Sequence, residues 1–454
     1  MTPGERALEL ADRARRAATG DEVDAVAHVE RSAFARFAAS SVHQPTLVED
    51  ENVTIRVVRD GKIGAVSTNR TDDEGLRAAA ARAAEAAEGG RADPGFPGLA
   101  APAGLPAVEG YDPETAALTP GEQAERAWAA IEAAPGHGLF GYVTSGVTEL
   151  GVASSTGLAV SQAMTDATAV ALAADEGRSG YADSTSWKAL DVDPAGVARV
   201  AAEKAERTRS AGQLEPGTYR AVLEPYALGE LLWYFGFSSL GALPFLDGRS
   251  FLTGRMGEQV FDPKVSIVDD ARDPRGLPKA FDFEGVPKQR VAIVEDGVAR
   301  DVVWDRRTAA QAGRESTGHA LSAPAQAMGP IPFNLALARG EATKDELVEN
   351  VEDGIYVTRL HYVNIVDTRE GVFTGMTRDG TFLIEGGRIT RPLVNLRFTT
   401  SFGDLVSRVL GLTRERKLVN QSDFYGERYP HGTLVPAIAT EAFTVVGTGS
   451  TPGL

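Results

Sequence analysis

Four short turn signals constrain this chain more than any other feature: Arg59-Asp60-Gly61-Lys62, Glu295-Asp296-Gly297, Arg378-Asp379-Gly380 and Glu385-Gly386-Gly387. Asp-Gly and Gly-Gly supply the positive φ angles that a tight hairpin requires. Just before the first of them, Val53, Ile55 and Val57 alternate with polar neighbours, the period of a half-buried strand. A chain punctuated in this way is expected to fold largely on antiparallel hairpins.

Helical signals separate the hairpins. An opening helix is expected over residues 3–19, and an Ala-rich one, GLRAAAARAAEAAE, follows Thr71-Asp72-Asp73 and stops at Gly89-Gly90. Residues 89–112 are rich in Pro and Gly and read as an extended surface crossing. Thr119, Pro120 and Glu122 have capping-box spacing, as do Thr343 and Glu346 before a helix stopped by Gly354. Strands return between His137 and Ser184 with a turn at Ser155-Thr156-Gly157, and Asp193-Pro194 starts a helix running to about Arg209. The composition changes at AGQLEPGTY, residues 211–219, beyond which strands dominate. With 454 residues, two domains are expected: a mixed N-terminal domain over 1–210 and a mostly antiparallel β domain over 216–454. The fold class is α+β.

Charge and composition exclude several functions. A net charge of -17 without a basic run opposes binding to nucleic acid or to anionic membranes. No cysteine is present, so neither a disulfide nor a thiolate ligand is available. The opening MTPGERALELADRARR carries charges throughout and does not read as a signal peptide. Residues 231–246 form the one apolar run that suggests a membrane span, but it is shorter than about 20 residues and contains Gly, Ser and Pro. It is expected to be buried in protein, and the chain to be cytoplasmic.

Catalytic patterns are sparse. The six histidines (His28, His43, His137, His319, His361 and His431) are too scattered for two to share a helix face, so HExxH is absent. Gly236-Phe237-Ser238-Ser239-Leu240 approaches a serine-hydrolase elbow but has Leu240 where the strained turn needs glycine. The glycines at Val446-Gly447-Thr448-Gly449 follow a strand-like run, but no helix comes after them, and no P-loop occurs. The acidic pairs Asp269-Asp270 and Asp282/Glu284 lie in polar segments and are expected to be solvated, like Arg314 and Glu315. Residue chemistry alone yields no catalytic constellation.

Longer motifs are more specific. Asp282-Phe283-Glu284-Gly285, Glu295-Asp296-Gly297, Thr308 to Gly313 and Ser316-Thr317-Gly318-His319-Ala320 follow in one block. The run from Ile384 to Pro392 closes a later β segment, and Val53 to Gly64 followed by Gly75 to Glu88 recurs in the first half. Together these resemble the TldD/PmbA family over nearly the whole chain. The family contains TldD-type chains, with HExxxH on a helix after Leu-Leu and a distant cysteine completing a zinc site, and TldE (PmbA)-type chains that share the fold without those ligands. Here Leu231-Leu232 leads into Trp233, Tyr234 and Ser238 at the three motif positions. Indole offers no lone pair to a metal, and a phenol with a pKa near 10 is a poor base.

The resemblance therefore implies a TldE-like subunit with no metal or catalytic residue of its own. It would be paired as a heterodimer or larger assembly with a TldD-type HExxxH chain that carries zinc, and would act on unfolded or precursor peptides. His319 is the one histidine inside a family motif; it either fixes a turn or contacts peptide. A free strand edge in the second half would hold an extended peptide through its main chain. The alternative is a homodimeric peptide-binding or assembly protein without protease activity. An older label ties the family to DNA gyrase modulation, for which the acidic charge offers no direct support.

Overall fold

The computed structural model describes residues 2–175, 177–422 and 426–449. Its first half is built on one antiparallel sheet of β1 (Glu22–Ala38), β2 (Ser41–Arg59), β3 (Lys62–Thr68), β4 (Gly138–Ser154), β5 (Ala159–Asp175) and β6 (Arg178–Ser186). The spatial order is β3-β2-β1-β4-β5-β6. The β2–β3 hairpin turns where its dipeptide requires, with Asp60 at φ 50° and Gly61 at φ 69°.

Helices α1 (Glu5–Ala17), α2 (Asp73–Gly89), α3 (Pro113–Ala117), α4 (Pro120–Glu132) and α5 (Pro194–Arg207) accompany this sheet. The capping box at Thr119 and Glu122 forms as its spacing predicts. Two alanine-rich cores result, one under α1 and α2 and one under α4 and α5. Ala25, Ala27, Ala35 and Phe37 of β1 alternate into them, which places both cores on one face of the sheet. Asp24, Val26, His28 and Glu30 point to the opposite face. There they meet the second half of the chain: Arg428 donates to Asp166 at 2.7 and 2.6 Å, and its carbonyl accepts from Thr148.

The second half contains α6 (Pro225–Ser239), α7 (Ala242–Leu246), α8 (Arg306–Ala312), α9 (Lys344–Val351) and α10 (Phe402–Ser407). Its strands are β7 (Gly217–Leu223), β8 (Ile267–Asp269), β9 (Val291–Glu295), β10 (Val298–Ala299), β11 (Leu335–Leu337), β12 (Gly354–Asp367), β13 (Val372–Glu385), β14 (Arg388–Leu393), β15 (Leu396–Ser401), β16 (Val409–Asn420) and β17 (Gly432–Thr448). Because β7 pairs with both β12 and β17, the path β7-β12-β13-β15-β17 closes on itself. Closure removes edges, so the free edge expected for a peptide is confined to strands off the ring: β10, β14 and β16. The fold is α+β, as the sequence predicts.

Several local expectations are corrected. Arg378-Asp379-Gly380 is not a hairpin turn but an irregularity inside β13, where the β12 register shifts between Val357 and Arg359. Gly354 opens β12 instead of stopping α9, and its missing Cβ admits the Arg220 carbonyl. Arg314 and Glu315 are exposed, as expected, and Arg314 in addition clamps Asp301 and lies over the Trp304 ring at 4.8 Å. Asp269 and Asp282 are buried rather than solvated, while Glu284 and Asp270 are partly buried, with side chains 10% and 21% exposed. The apolar run 231–246 is divided between α6 and α7, and no described helix is long and apolar enough to cross a membrane.

Candidate functional site

Helix α6 begins at Pro225, whose missing N–H is no loss in a first turn. Leu228, Leu231, Leu232 and Phe235 enter the aromatic core, where the Phe235 and Phe402 rings stack at 4.4 Å. Gly236 lets the helix approach β11, since a Cβ there would stand 2.4 Å from Leu335. Preceding the helix, Glu224 receives Lys204 at 2.7 Å and the Tyr356 hydroxyl at 2.5 Å.

Tyr226, Glu230, Trp233 and Tyr234 recur at helical spacing on the other side of α6. They line a cleft of about 310 Å³, faced by Tyr181 and Asp183 of β6, Arg359 of β12 and Asn420 of β16. Trp233 packs against Phe333 at 5.8 Å and His431 at 4.8 Å, and so forms an aromatic wall. Ser238 is buried and returns its hydroxyl to the Phe235 carbonyl within its own helix. Phe237 departs from the expectation of a fully packed aromatic stretch, with 43% of its surface exposed.

The electrostatics of this cleft are unusual. Burial pushes the Glu230 carboxyl up to about 7, with Arg359 the opposing charge. Burial also raises Asp183, against the pull of Lys417 and the Tyr181 hydroxyl, which donates to it at 2.8 Å. The Arg359 guanidinium stacks over the Tyr181 ring at 4.0 Å and reaches Asp379 at 2.7 Å. Glu230 receives no hydrogen bond from a described residue, and Asp183 Oδ1 likewise lacks a donor. The only sequence signal for Glu230 is its place one turn before Tyr234; Tyr181, Asp183 and Arg359 had none.

The structure brings Trp233 and Tyr234 together at the cleft and turns Ser238 into the protein. It buries His319 completely, with a side chain 0% exposed. Its Nε2 bonds Asp269 at 2.9 Å and its Nδ1 pairs with the Thr317 hydroxyl at 2.9 Å. Burial and nearby Lys288 lower the His319 pKa against the pull of Asp269. A peptide would reach this ring only after the surrounding segment opened.

A family profile described as the PmbA/TldA metallopeptidase C-terminal domain matches residues 216–447, and one for domain 1 matches 23–87. The chain belongs to the PmbA/TldD metallopeptidase family. Among PmbA/TldD relatives, a metalloprotease of Methanothermobacter thermautotrophicus is 29% identical over 56% of this chain and 55% of its own. A metalloprotease TldD homolog of Haemophilus influenzae is 29% identical over 44% and 42% of the two chains. The chain thus spans about half the length of the curated relatives it matches. TldE of Thermococcus kodakarensis shares the fold with a TM-score of 0.86 at 19% identity, over 97% of this chain and 99% of that one. A protein of Thermotoga maritima described as a modulator of a DNA gyrase superposes with a TM-score of 0.81 at 24% identity, over 94% and 96%.

A metallopeptidase family implies a metal, and the residues at the three motif positions of α6 do not fit one. Trp233, Tyr234 and Ser238 offer no imidazole or carboxylate. Among the described residues, no group of three or more His, Cys, Asp or Glu side chains could hold an ion.

Proposed function

We propose that this chain is the non-catalytic, TldE/PmbA-like subunit of a TldD/TldE-type zinc metalloprotease acting on unfolded or precursor peptides. One observation carries the reading: the α6 cleft presents indole and phenol where a hydrolytic helix presents two imidazoles and a carboxylate. A TldD-type partner bearing HExxxH would supply zinc and general base. This chain would supply a wall of the peptide path, lined by Tyr226, Trp233, Tyr234 and the Asn420 amide. The same reading takes 1–210 and 216–454 as two domains and places the complex in the cytoplasm.

The test is reconstitution with the HExxxH chain of the same organism. Co-elution of the two and chelator-sensitive peptide cleavage by the mixture alone are expected. Chelator-sensitive cleavage or stoichiometric zinc in this chain by itself would overturn the reading. A stable homodimer that ignores the HExxxH chain would favour an assembly protein instead.

A further inference from the structure

A second cavity, of about 430 Å³, lies away from the α6 cleft, between β2 and β3 on one side and α7 and α8 on the other. Its walls include Phe96, Pro97, Ile63 and Leu243, and its polar groups are Arg56, Glu284, Asp305 and Arg307. Glu284 stands out among them. Its turn is held rigidly: Asp282 accepts the backbone N–H groups of Glu284 and Val286 at 2.9 and 3.0 Å, and Gly285 adopts φ 74°.

The carboxyl presented by this turn is 10% exposed and receives no hydrogen bond from a described residue. Oε2 is sealed without a donor, and Oε1 lies 4.0 Å from the Arg56 guanidinium. Leaving a buried carboxylate without a donor is costly, so such a group calls for a ligand, an ordered water or a proton of its own.

The surrounding charges are short of one cation. Arg56 is committed to Asp24 and Arg307 to Asp93, while Arg306 gives its nitrogens to the Pro97 and Gly98 carbonyls. Asp305 uses one oxygen to cap α8 through Thr308. Three guanidiniums (Arg56, Arg306, Arg307) therefore stand among four carboxyls (Asp24, Asp93, Asp305, Glu284), while behind the turn a fifth carboxyl, Asp282, feels the charge of Lys288. Burial and the negative neighbours Asp282 and Asp305 accordingly raise the Glu284 pKa. A divalent metal does not suit so few free oxygens, and an anion would face the unsatisfied carboxyl. An ammonium on a short apolar body matches both the missing donor and the apolar walls.

We propose that this cavity is a binding site for a small primary alkylammonium group, with Glu284 as its counter-ion and Phe96 and Leu243 packing its carbon chain. The full-length chain would be titrated by calorimetry with n-butylammonium chloride, n-butanol and sodium chloride. Saturable binding of the ammonium is expected, with n-butanol at least about tenfold weaker because the charge-assisted hydrogen bond is lost. Glu284→Gln should weaken the ammonium by about tenfold or more, and Leu243→Trp should abolish its binding by filling the cavity. Equal binding of n-butanol, undiminished binding by E284Q, or no saturable ammonium binding would overturn the proposal. Should E284Q fail to fold, the ammonium-to-alcohol contrast on the unaltered protein still decides. None of these outcomes depends on a protease partner.

Discussion

The two halves of this molecule are packed by opposite means. In the first, four helices lie on a sheet through alanines, and glycines let backbones nearly touch: a Cβ on Gly64 would stand 2.1 Å from the Ala83 carbonyl, and one on Gly180 2.2 Å from that of Ala201. In the second, a strand ring and α6 enclose a core of Phe235, Phe251, Phe261 and Phe402. The first half has no room for growth, whereas the second depends on bulk. Their charges contrast as well. The sheet face of the first half meets its partners in pairs, Asp24 with Arg56 and Asp166 with Arg428, while the α6 cleft leaves Glu230 without a hydrogen-bond donor.

The contrast breaks first at the aromatic core. Phe235→Ala should cost about 3–5 kcal/mol in urea denaturation, from lost transfer energy and a residual cavity. Phe237→Ala, one residue past Gly236 but exposed, should cost less than about 0.5 kcal/mol. Equal losses would mean that α6 does not bury the face described here. In the paired region, Arg428→Met should destabilise by about 3–5 kcal/mol, because Asp166 is left buried without its partner. A loss below about 1 kcal/mol would show that this ion pair is not what joins the halves.

The unpaired carboxyl should behave in the reverse sense. Glu230 has a folded pKa of about 7 against an ordinary 4.5. A group raised in this way contributes its stability below its unfolded pKa and loses it as pH rises through the folded value. Glu230→Gln should therefore leave stability at pH 4 nearly unchanged and raise it at pH 8, by about 1–3 kcal/mol. Denaturation midpoints across that range would check it; a uniform loss at every pH would mean that Arg359 outweighs burial and holds Glu230 ionised in the folded protein. Of similar size, Gly180→Ala should cost about 1–3 kcal/mol by pressing α5 off β6, and a neutral result would mean that the alanine layer is looser than its spacing indicates.

Legibility in the sequence followed the range of the interactions. The β2–β3 turn at Asp60-Gly61, both capping boxes and the Ala-rich α2 rest on residues within a few positions of one another, and each was readable. Asp379-Gly380 has the same dipeptide as a hairpin turn, yet it lies within β13, since the pairing of β12 with β13 overrode the local preference. The acidic residues misled for the same reason. Nothing beside Asp282 and Glu284 in the chain reveals that residues 150–164 pack over that segment. Likewise Arg428 meets Asp166 across 262 positions.

What the sequence determined alone was the strand and helix alphabet of the chain and the atoms available at the α6 motif: Trp233, Tyr234 and Ser238 lack imidazole and carboxylate in any fold. Tertiary structure decided the rest: that β7 closes a ring, that His319 is sealed against Asp269, and that Glu230 and Glu284 are half-buried without donors. Those outcomes depend on desolvation and on charges brought together from distant parts of the chain. Composition and spacing specify which groups exist, and only packing specifies which of them lose water and which find a partner.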